Sequence, residues 1–205
     1  MIYKNLLPFV ETLENSFDLI SIKRQAVLKQ LSNAIKESKA KFGFAKIIVV
    51  CTHNSRRSQI AQLWLKTAAF YYNKTQIFTY SGGTEATAFN ARMVDSIKRA
   101  GFSVHQLDNS DNPKYYIPLS NQDNSLDILY SKKISENYNP QQDYIAVMVC
   151  TDADENCPYL PLAEKRISIP YTDPKAFDNT DLESIKYDEK VQEIGREMLF
   201  VVKNS

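Results

Sequence analysis

The stretch Ile47-Ile48-Val49-Val50-Cys51-Thr52-His53-Asn54-Ser55-Arg56-Arg57-Ser58 places a cysteine directly after an apolar run and an arginine six positions later. The apolar run predicts a buried strand over 46–50, and apolar residues at helical spacing predict a helix over 58–72. A loop between strand and helix turns backbone N–H groups toward its own centre, where the positive end of the helix adds to them. This stretch therefore predicts an oxyanion-binding loop.

The loop residues divide into a nucleophile and its supporting groups. Cys51 is the candidate nucleophile, because a field that attracts anions also favours the thiolate. Arg57 can hold two oxygens of a tetrahedral anion, and Ser58 can hydrogen-bond the sulfur. Asn54 can hold the loop in shape through its amide, with Ser81 as a plausible partner. The predicted oxyanion-binding residues are Thr52, His53, Asn54, Ser55, Arg56 and Arg57.

Strands and helices alternate along the rest of the chain. Further strands are predicted over 75–80, 144–149 and 166–169, and further helices over 90–100 and 181–202. This alternation is typical of an α/β protein with a parallel sheet flanked by helices. Ligands bind such folds at the loops that follow the carboxyl ends of the strands.

Two further parts of the chain lie outside that pattern. Residues 1–43 are predicted to be an N-terminal helical extension, with a helix that Ser21 caps and Gly43 ends. Residues 44–205 form the predicted α/β domain, which contains an insertion around 103–142 that could include a hairpin. The extension is expected to pack on one face of the domain, and a dimer contact is the alternative.

Two more cysteines follow a second apolar run, in Cys150-Thr-Asp-Ala-Asp-Glu-Asn-Cys157-Pro158. Cysteines in a chain of the cytosol are more often reactive than structural, although Cys150 could be a core thiol and Cys157 an incidental loop residue. Asp173 and Pro174 follow the last predicted strand, where Asp173 could be a general acid or part of a turn.

These motifs together resemble a known family. The Cys51 loop, the helix that opens with SQIAQLW, the turn at 81–86 and the Asp173-Pro174 pair resemble the low-molecular-weight protein tyrosine phosphatase fold. The segment from Cys150 to Cys157 resembles the redox segment of the thioredoxin-coupled arsenate reductases built on that fold. The resemblance covers about 45–102 and 143–203, and it implies a four-stranded parallel sheet.

The resemblance implies the reduction of arsenate to arsenite. Cys51 would form a thiol-arsenate adduct, Cys150 would displace arsenite to give a Cys51–Cys150 disulfide, and Cys157 would then attack Cys150. Thioredoxin would reduce the final disulfide. The implied catalytic residues are Cys51, Arg57, Ser58, Cys150, Cys157 and Asp173.

Two other functions stay open. A low-molecular-weight protein tyrosine phosphatase would hydrolyse phosphate monoesters through a phosphocysteine at Cys51. A binding protein would sense an anion or the redox state without turnover. His53 favours this alternative, because the family usually has glycine at that position. Arg56 replaces a residue that is usually neutral or cysteine, and we expect it to point to solvent rather than to strengthen anion binding.

Composition and charge exclude several partners. The net charge is +1 over 205 residues, so nucleic acid is not an expected partner. No apolar run approaches the about 20 residues that span a bilayer, and the N-terminus does not read as a signal peptide, so we expect a cytoplasmic protein without a membrane partner. Gln62 replaces an acidic residue that helps to hold potassium in some arsenate reductases, and neither a metal nor another cofactor is predicted.

Overall fold

The computed structural model describes residues 2–121, 123, 127–150, 160 and 162–205. The strands are β1 (Ala45–Cys51), β2 (Ile77–Gly83), β3 (His105–Gln106), β4 (Tyr115–Tyr116), β5 (Ile128–Leu129), β6 (Tyr144–Met148) and β7 (Ala163–Ser168). The α-helices are α1 (Leu7–Glu14), α2 (Ile22–Phe42), α3 (Arg57–Tyr71), α4 (Ala91–Arg99) and α5 (Glu183–Lys203), with 3-10 turns at Phe17–Leu19 and Pro174–Phe177.

The central sheet is parallel and has the strand order β2-β1-β6-β7. The predicted parallel four-stranded sheet flanked by helices is confirmed. The middle strands β1 and β6 consist mainly of apolar residues, and all of their residues except Lys46 are buried, as a strand covered on both faces requires. Helices α3 and α5 pack on each other, and most of α3 is buried, including the whole of its Trp64 side chain.

The N-terminal residues fold as helices against the same core. Helix α2 begins at Ser21, whose hydroxyl accepts a hydrogen bond from the Arg24 N–H (3.3 Å), and ends at Gly43 in the left-handed region, φ 79°. Its residues Leu28 and Leu31 are fully buried in the core cluster that also contains the sheet. The division into an extension and a domain stays a prediction. Among the described residues, none of the helices combines the length and the apolar character that a membrane span requires.

The region around 103–142 contains a small antiparallel sheet in the order β3-β4-β5, and the pairing of β4 with β5 matches the predicted hairpin. After β5 the chain returns to the central sheet. Gly83 at the end of β2 donates to the Lys132 carbonyl and accepts from the Ile134 N–H, both at 2.9 Å. The end of this region therefore lies beside the loop that follows β1.

Candidate active site

The loops after β1, β6 and β7 meet at one edge of the sheet. Cys51 ends β1, Cys150 follows β6, and Asp173 lies in the loop after β7. A small pocket opens between the first and last of these loops. It is lined by Cys51, Thr52, His53, Ser55, Arg56, Arg57 and Asp173. The structure thus brings most of the predicted site residues to one pocket.

The Cys51 sulfur is buried and held by Ser58. The two side chains are 3.0 Å apart, Sγ to Oγ, and Cys51 is only 4% exposed. The Asn54 side-chain amide donates to the Ser58 oxygen at 2.8 Å. Because that oxygen already accepts a hydrogen bond, the Ser58 hydroxyl hydrogen is free to point to the sulfur. This arrangement stabilises a negative sulfur.

Asn54 holds the Cys51 loop in place through its backbone conformation and its side-chain amide. Its backbone lies in the left-handed region, φ 47°, which asparagine tolerates better than most residues. Its side-chain oxygen accepts from the Lys132 N–H at 2.9 Å and from the Gln59 side chain at 3.1 Å. The predicted partner Ser81 is therefore wrong, because Ser58, Gln59 and Lys132 take both ends of the buried amide.

Arg57 joins the loop to the candidate acid. Its guanidinium donates to an Asp173 carboxylate oxygen and to the Tyr171 carbonyl, each at 2.8 Å. Asp173 also accepts from the Lys175 N–H at 3.0 Å and so caps the 3-10 turn that begins at Pro174. The cap fixes the carboxylate at the pocket, so the turn residue and the candidate acid are the same residue.

Arg56 does not point to solvent, and that expectation is wrong. Its side chain is 14% exposed and lies 3.5 Å from the Asp178 carboxylate. Its Nε donates to the Tyr187 hydroxyl at 3.0 Å. Burial raises the pKa of Tyr187 to about 12, and its hydrogen bond to Asp178 adds to that shift. A buried hydroxyl and a half-buried carboxylate thus hold a second cation against the wall of the pocket.

His53 fits the loop without left-handed backbone. The residue with positive φ is the next one, Asn54, so the glycine of the family is not required at 53 for that reason. The His53 ring lies 3.5 Å from the Glu85 carboxylate at the exposed mouth of the pocket. Its carbonyl accepts from the Ser131 hydroxyl at 2.8 Å.

Cys150 lies beside the Cys51 loop. Its sulfur is 3.7 Å from the Thr52 hydroxyl, and its side chain is buried. The register of the parallel strands explains this position, because Val50 is paired with Met148 on the neighbouring strand. Cys51 has a free thiol. Cys157 lies outside the described residues, so its position stays a prediction.

Several supporting residues were absent from the sequence prediction. Lys132 and Ser131 reach the loop from the region around 103–142, which carries no pattern that places them there. Tyr171 lies two positions before the candidate acid and contacts Glu197. A charged residue among the buried positions of α5 is the signal that could have indicated Glu197, since such a residue requires a partner.

Comparison with solved structures defines the class of fold. The low-molecular-weight protein tyrosine phosphatase from T. tengcongensis superimposes with a TM-score of 0.53 at 16% sequence identity, over 78% of this chain and 99% of that chain. No protein-family model matches the sequence. The sheet, the loop after β1 and the helices around them are those of the low-molecular-weight phosphatase fold.

Curated relatives give the family. Arsenate reductase 2 of Staphylococcus epidermidis is 33% identical over 128 residues, which are 62% of this chain and 77% of that protein. Arsenate reductase of Staphylococcus aureus (strain Newman) is 28% identical over 146 residues, or 71% of this chain and 90% of that protein. The chain belongs to the arsenate reductase family, as its motifs predicted.

Proposed function

We propose that this protein reduces arsenate to arsenite in the cytoplasm with three thiols, Cys51, Cys150 and Cys157, and that thioredoxin restores them. The observation that carries the proposal is the position of Cys150, with its sulfur 3.7 Å from the hydroxyl of the residue that follows Cys51. A phosphatase that uses Cys51 alone has no need of a second thiol there.

In the first step the Cys51 thiolate attacks arsenate in the pocket. An S–As bond forms, and one arsenate oxygen leaves as water after it takes a proton from Asp173. Arg57 and the loop amides hold the remaining oxygens, with the hydrogen bond from Ser58 supporting the sulfur. Arsenic stays in the pentavalent state in this step.

The second step moves the electrons. The Cys150 thiolate attacks the Cys51 sulfur, so an S–S bond forms and the S–As bond breaks. The electron pair of that bond stays on arsenic, which leaves as trivalent arsenite. Neighbouring strands are about 4.8 Å apart, which suits a disulfide between residues at the same edge of β1 and β6.

The third step regenerates the nucleophile. The Cys157 thiolate attacks Cys150, which gives a Cys150–Cys157 disulfide and releases Cys51 as a thiolate. Thioredoxin, a dithiol, then exchanges with this disulfide and becomes oxidised. This order requires Cys157 to approach Cys150 and the product disulfide to be accessible.

The test measures arsenate-dependent NADPH oxidation with thioredoxin and thioredoxin reductase, beside the hydrolysis of p-nitrophenyl phosphate. The wild type is expected to consume NADPH with arsenate, and Cys150→Ser to lose this activity entirely. Hydrolysis by Cys150→Ser should stay within about threefold of the wild type, because phosphate-ester cleavage needs no second thiol. Full arsenate reduction by Cys150→Ser would contradict the proposal.

A phosphatase is the second candidate. It is supported by the pocket itself, which Cys51, Arg57 and Asp173 line and Cys150 does not. Cys51 would form a phosphocysteine, with Asp173 first as acid to the leaving alcohol and then as base to water. Efficient ester hydrolysis together with no arsenate-dependent NADPH oxidation would favour this candidate. Anion binding without either activity would favour a sensor.

A further inference from the structure

A partly buried ion pair, in which the Arg24 side chain is 22% exposed, joins the N-terminal helix α2 to the C-terminal helix α5. The Arg24 guanidinium donates two hydrogen bonds to the Glu197 carboxylate, at 2.8 and 2.9 Å. The Glu197 side chain is 7% exposed. Burying two charges costs free energy that a bidentate contact only partly offsets, so such a pair is poor evidence for added stability.

Tyr171 completes this pair. Its hydroxyl donates to the Glu197 carboxylate at 2.6 Å, and the Arg24 guanidinium lies 4.7 Å from the centre of its ring. Burial raises the pKa of Tyr171 well above its ordinary value, and the Glu197 charge adds to this shift. The Tyr171 hydroxyl therefore stays protonated, and a hydrogen-bond donor, at neutral pH.

The backbone of Tyr171 lies between the end of β6, which leads to Cys150, and the Cys51 loop. Its N–H donates to the carbonyl of Val149, the residue before Cys150, at 3.1 Å. Its carbonyl accepts from Arg57 at 2.8 Å, and Asp173, two residues later, binds the same guanidinium. Tyr171 thus connects Glu197, which its hydroxyl contacts, with Arg57 and, through that guanidinium, with Asp173.

We propose that Arg24, Glu197 and Tyr171 are positioning residues, which hold the Asp173 loop and the Arg57 guanidinium in the correct position relative to the Cys51 sulfur. The N-terminal residues 1–43, which lie outside the resemblance to the phosphatase fold, thereby support the active site through Arg24. This inference rests on the proposed function for its kinetic test only, which uses the phosphate-ester hydrolysis expected of the same Cys51 pocket. A displacement of about 1 Å in a catalytic group is enough to lower turnover strongly.

Two variants and one matched control test the proposal. Tyr171→Phe removes only the hydroxyl and keeps the Arg24–Glu197 pair, so it is expected to fold. Arg24→Met removes the cation and keeps a side chain of similar length. Ser32→Ala is the control, since the Ser32 hydroxyl also joins α2 to α5, through the Val201 carbonyl at 2.9 Å, but contacts no residue of the pocket.

The first measurement is amide hydrogen exchange, which does not depend on activity. Peptides that cover 170–177 should exchange at least several-fold faster in Tyr171→Phe and Arg24→Met than in the wild type and Ser32→Ala. Equal exchange in all four proteins would overturn the proposal, whether or not the wild type reduces arsenate. A wild type that does not reduce arsenate would contradict the proposed function alone.

The second measurement compares phenyl phosphate with p-nitrophenyl phosphate. The poorer leaving group, phenol, depends more on a well-placed acid. With phenyl phosphate, kcat should fall about tenfold in both variants, which is a part of the 10²–10⁴-fold that a positioned acid supplies. With p-nitrophenyl phosphate, kcat should fall less. A general loss of folded protein would lower both rates equally, and that result would contradict a positioning role.

Discussion

The guanidinium of Arg57 binds the carboxylate of Asp173 at 2.8 Å, so the predicted anion ligand and the predicted acid form one unit across the pocket. The Cys51 loop supplies the first and the loop after β7 supplies the second. A substrate anion that binds Arg57 therefore enters next to the group that can protonate its departing oxygen.

This contact predicts the effect of Asp173→Asn. The amide keeps the shape of the side chain and an acceptor for Arg57, but it has no proton to give. We expect kcat to fall by about 10²-fold or more, with KM changed little. Steady-state kinetics on arsenate and on p-nitrophenyl phosphate measure both constants.

Asp181→Asn is the control for this change, since Asp181 is an exposed residue of the connection that leads to α5. It should keep both constants within about twofold of the wild type. If Asp173→Asn behaved like this control, Asp173 would be only the cap of its 3-10 turn.

Asn54→Ala is expected to destabilise the protein. The change leaves the buried Lys132 N–H without its acceptor, which costs about 1–3 kcal/mol, and it puts alanine at φ 47°. The alkylation of Cys51 by iodoacetamide should also change, because Ser58 loses the amide that orients it. Urea unfolding gives the free energy of unfolding.

Asn73→Ala separates the two causes. Asn73 has a similar backbone angle, φ 54°, but lies exposed at the end of α3, so its replacement measures the backbone contribution alone. The free energy of unfolding should fall further in Asn54→Ala than in Asn73→Ala by at least about 1 kcal/mol. Equal losses would show that the side-chain contacts of Asn54 contribute nothing.

Lys132 predicts a pH dependence of stability. Its side chain is 1% exposed, with its ammonium 4.6 Å from the Tyr130 ring and 5.3 Å from the Tyr138 ring. Burial lowers the pKa of Lys132 from 10.5 to about 8. Between these values the unfolded chain binds a proton that the folded chain has lost, so stability rises with pH by up to about 1.4 kcal/mol per unit.

Lys132→Met removes this titration. Urea unfolding at pH 7, 8, 9 and 10 should show the free energy of unfolding rising above pH 8 in the wild type and flatter in the variant. Lys133→Met, beside it in sequence but exposed, should keep the slope of the wild type. Parallel curves for the wild type and Lys132→Met would contradict a buried cation with a lowered pKa.

The sequence predicted the elements that local patterns specify. The apolar run before Cys51 and the helical spacing after Ser58 placed β1 and α3 to within one residue at all four boundaries, because both signals are strong and continuous. Asp173 and Cys150 could be assigned to the same edge since the loops after parallel strands share it.

Contacts between distant segments could not be predicted in this way. Lys132 reaches Asn54 from a polar region without periodicity, and Arg24 reaches Glu197 across most of the chain. Arg56 was expected in solvent because an arginine next to another gives no sign of which acceptors lie nearby. Such pairings follow from tertiary packing, which a local pattern does not encode.

The most direct test of the thiol relay is mass spectrometry of the disulfides after one arsenate turnover without reductant. We expect the wild type to contain a Cys150–Cys157 linkage in proportion to the arsenite released, and Cys157→Ser to retain a Cys51–Cys150 linkage. Arsenite release from a wild type in which all three cysteines stay reduced would contradict the relay.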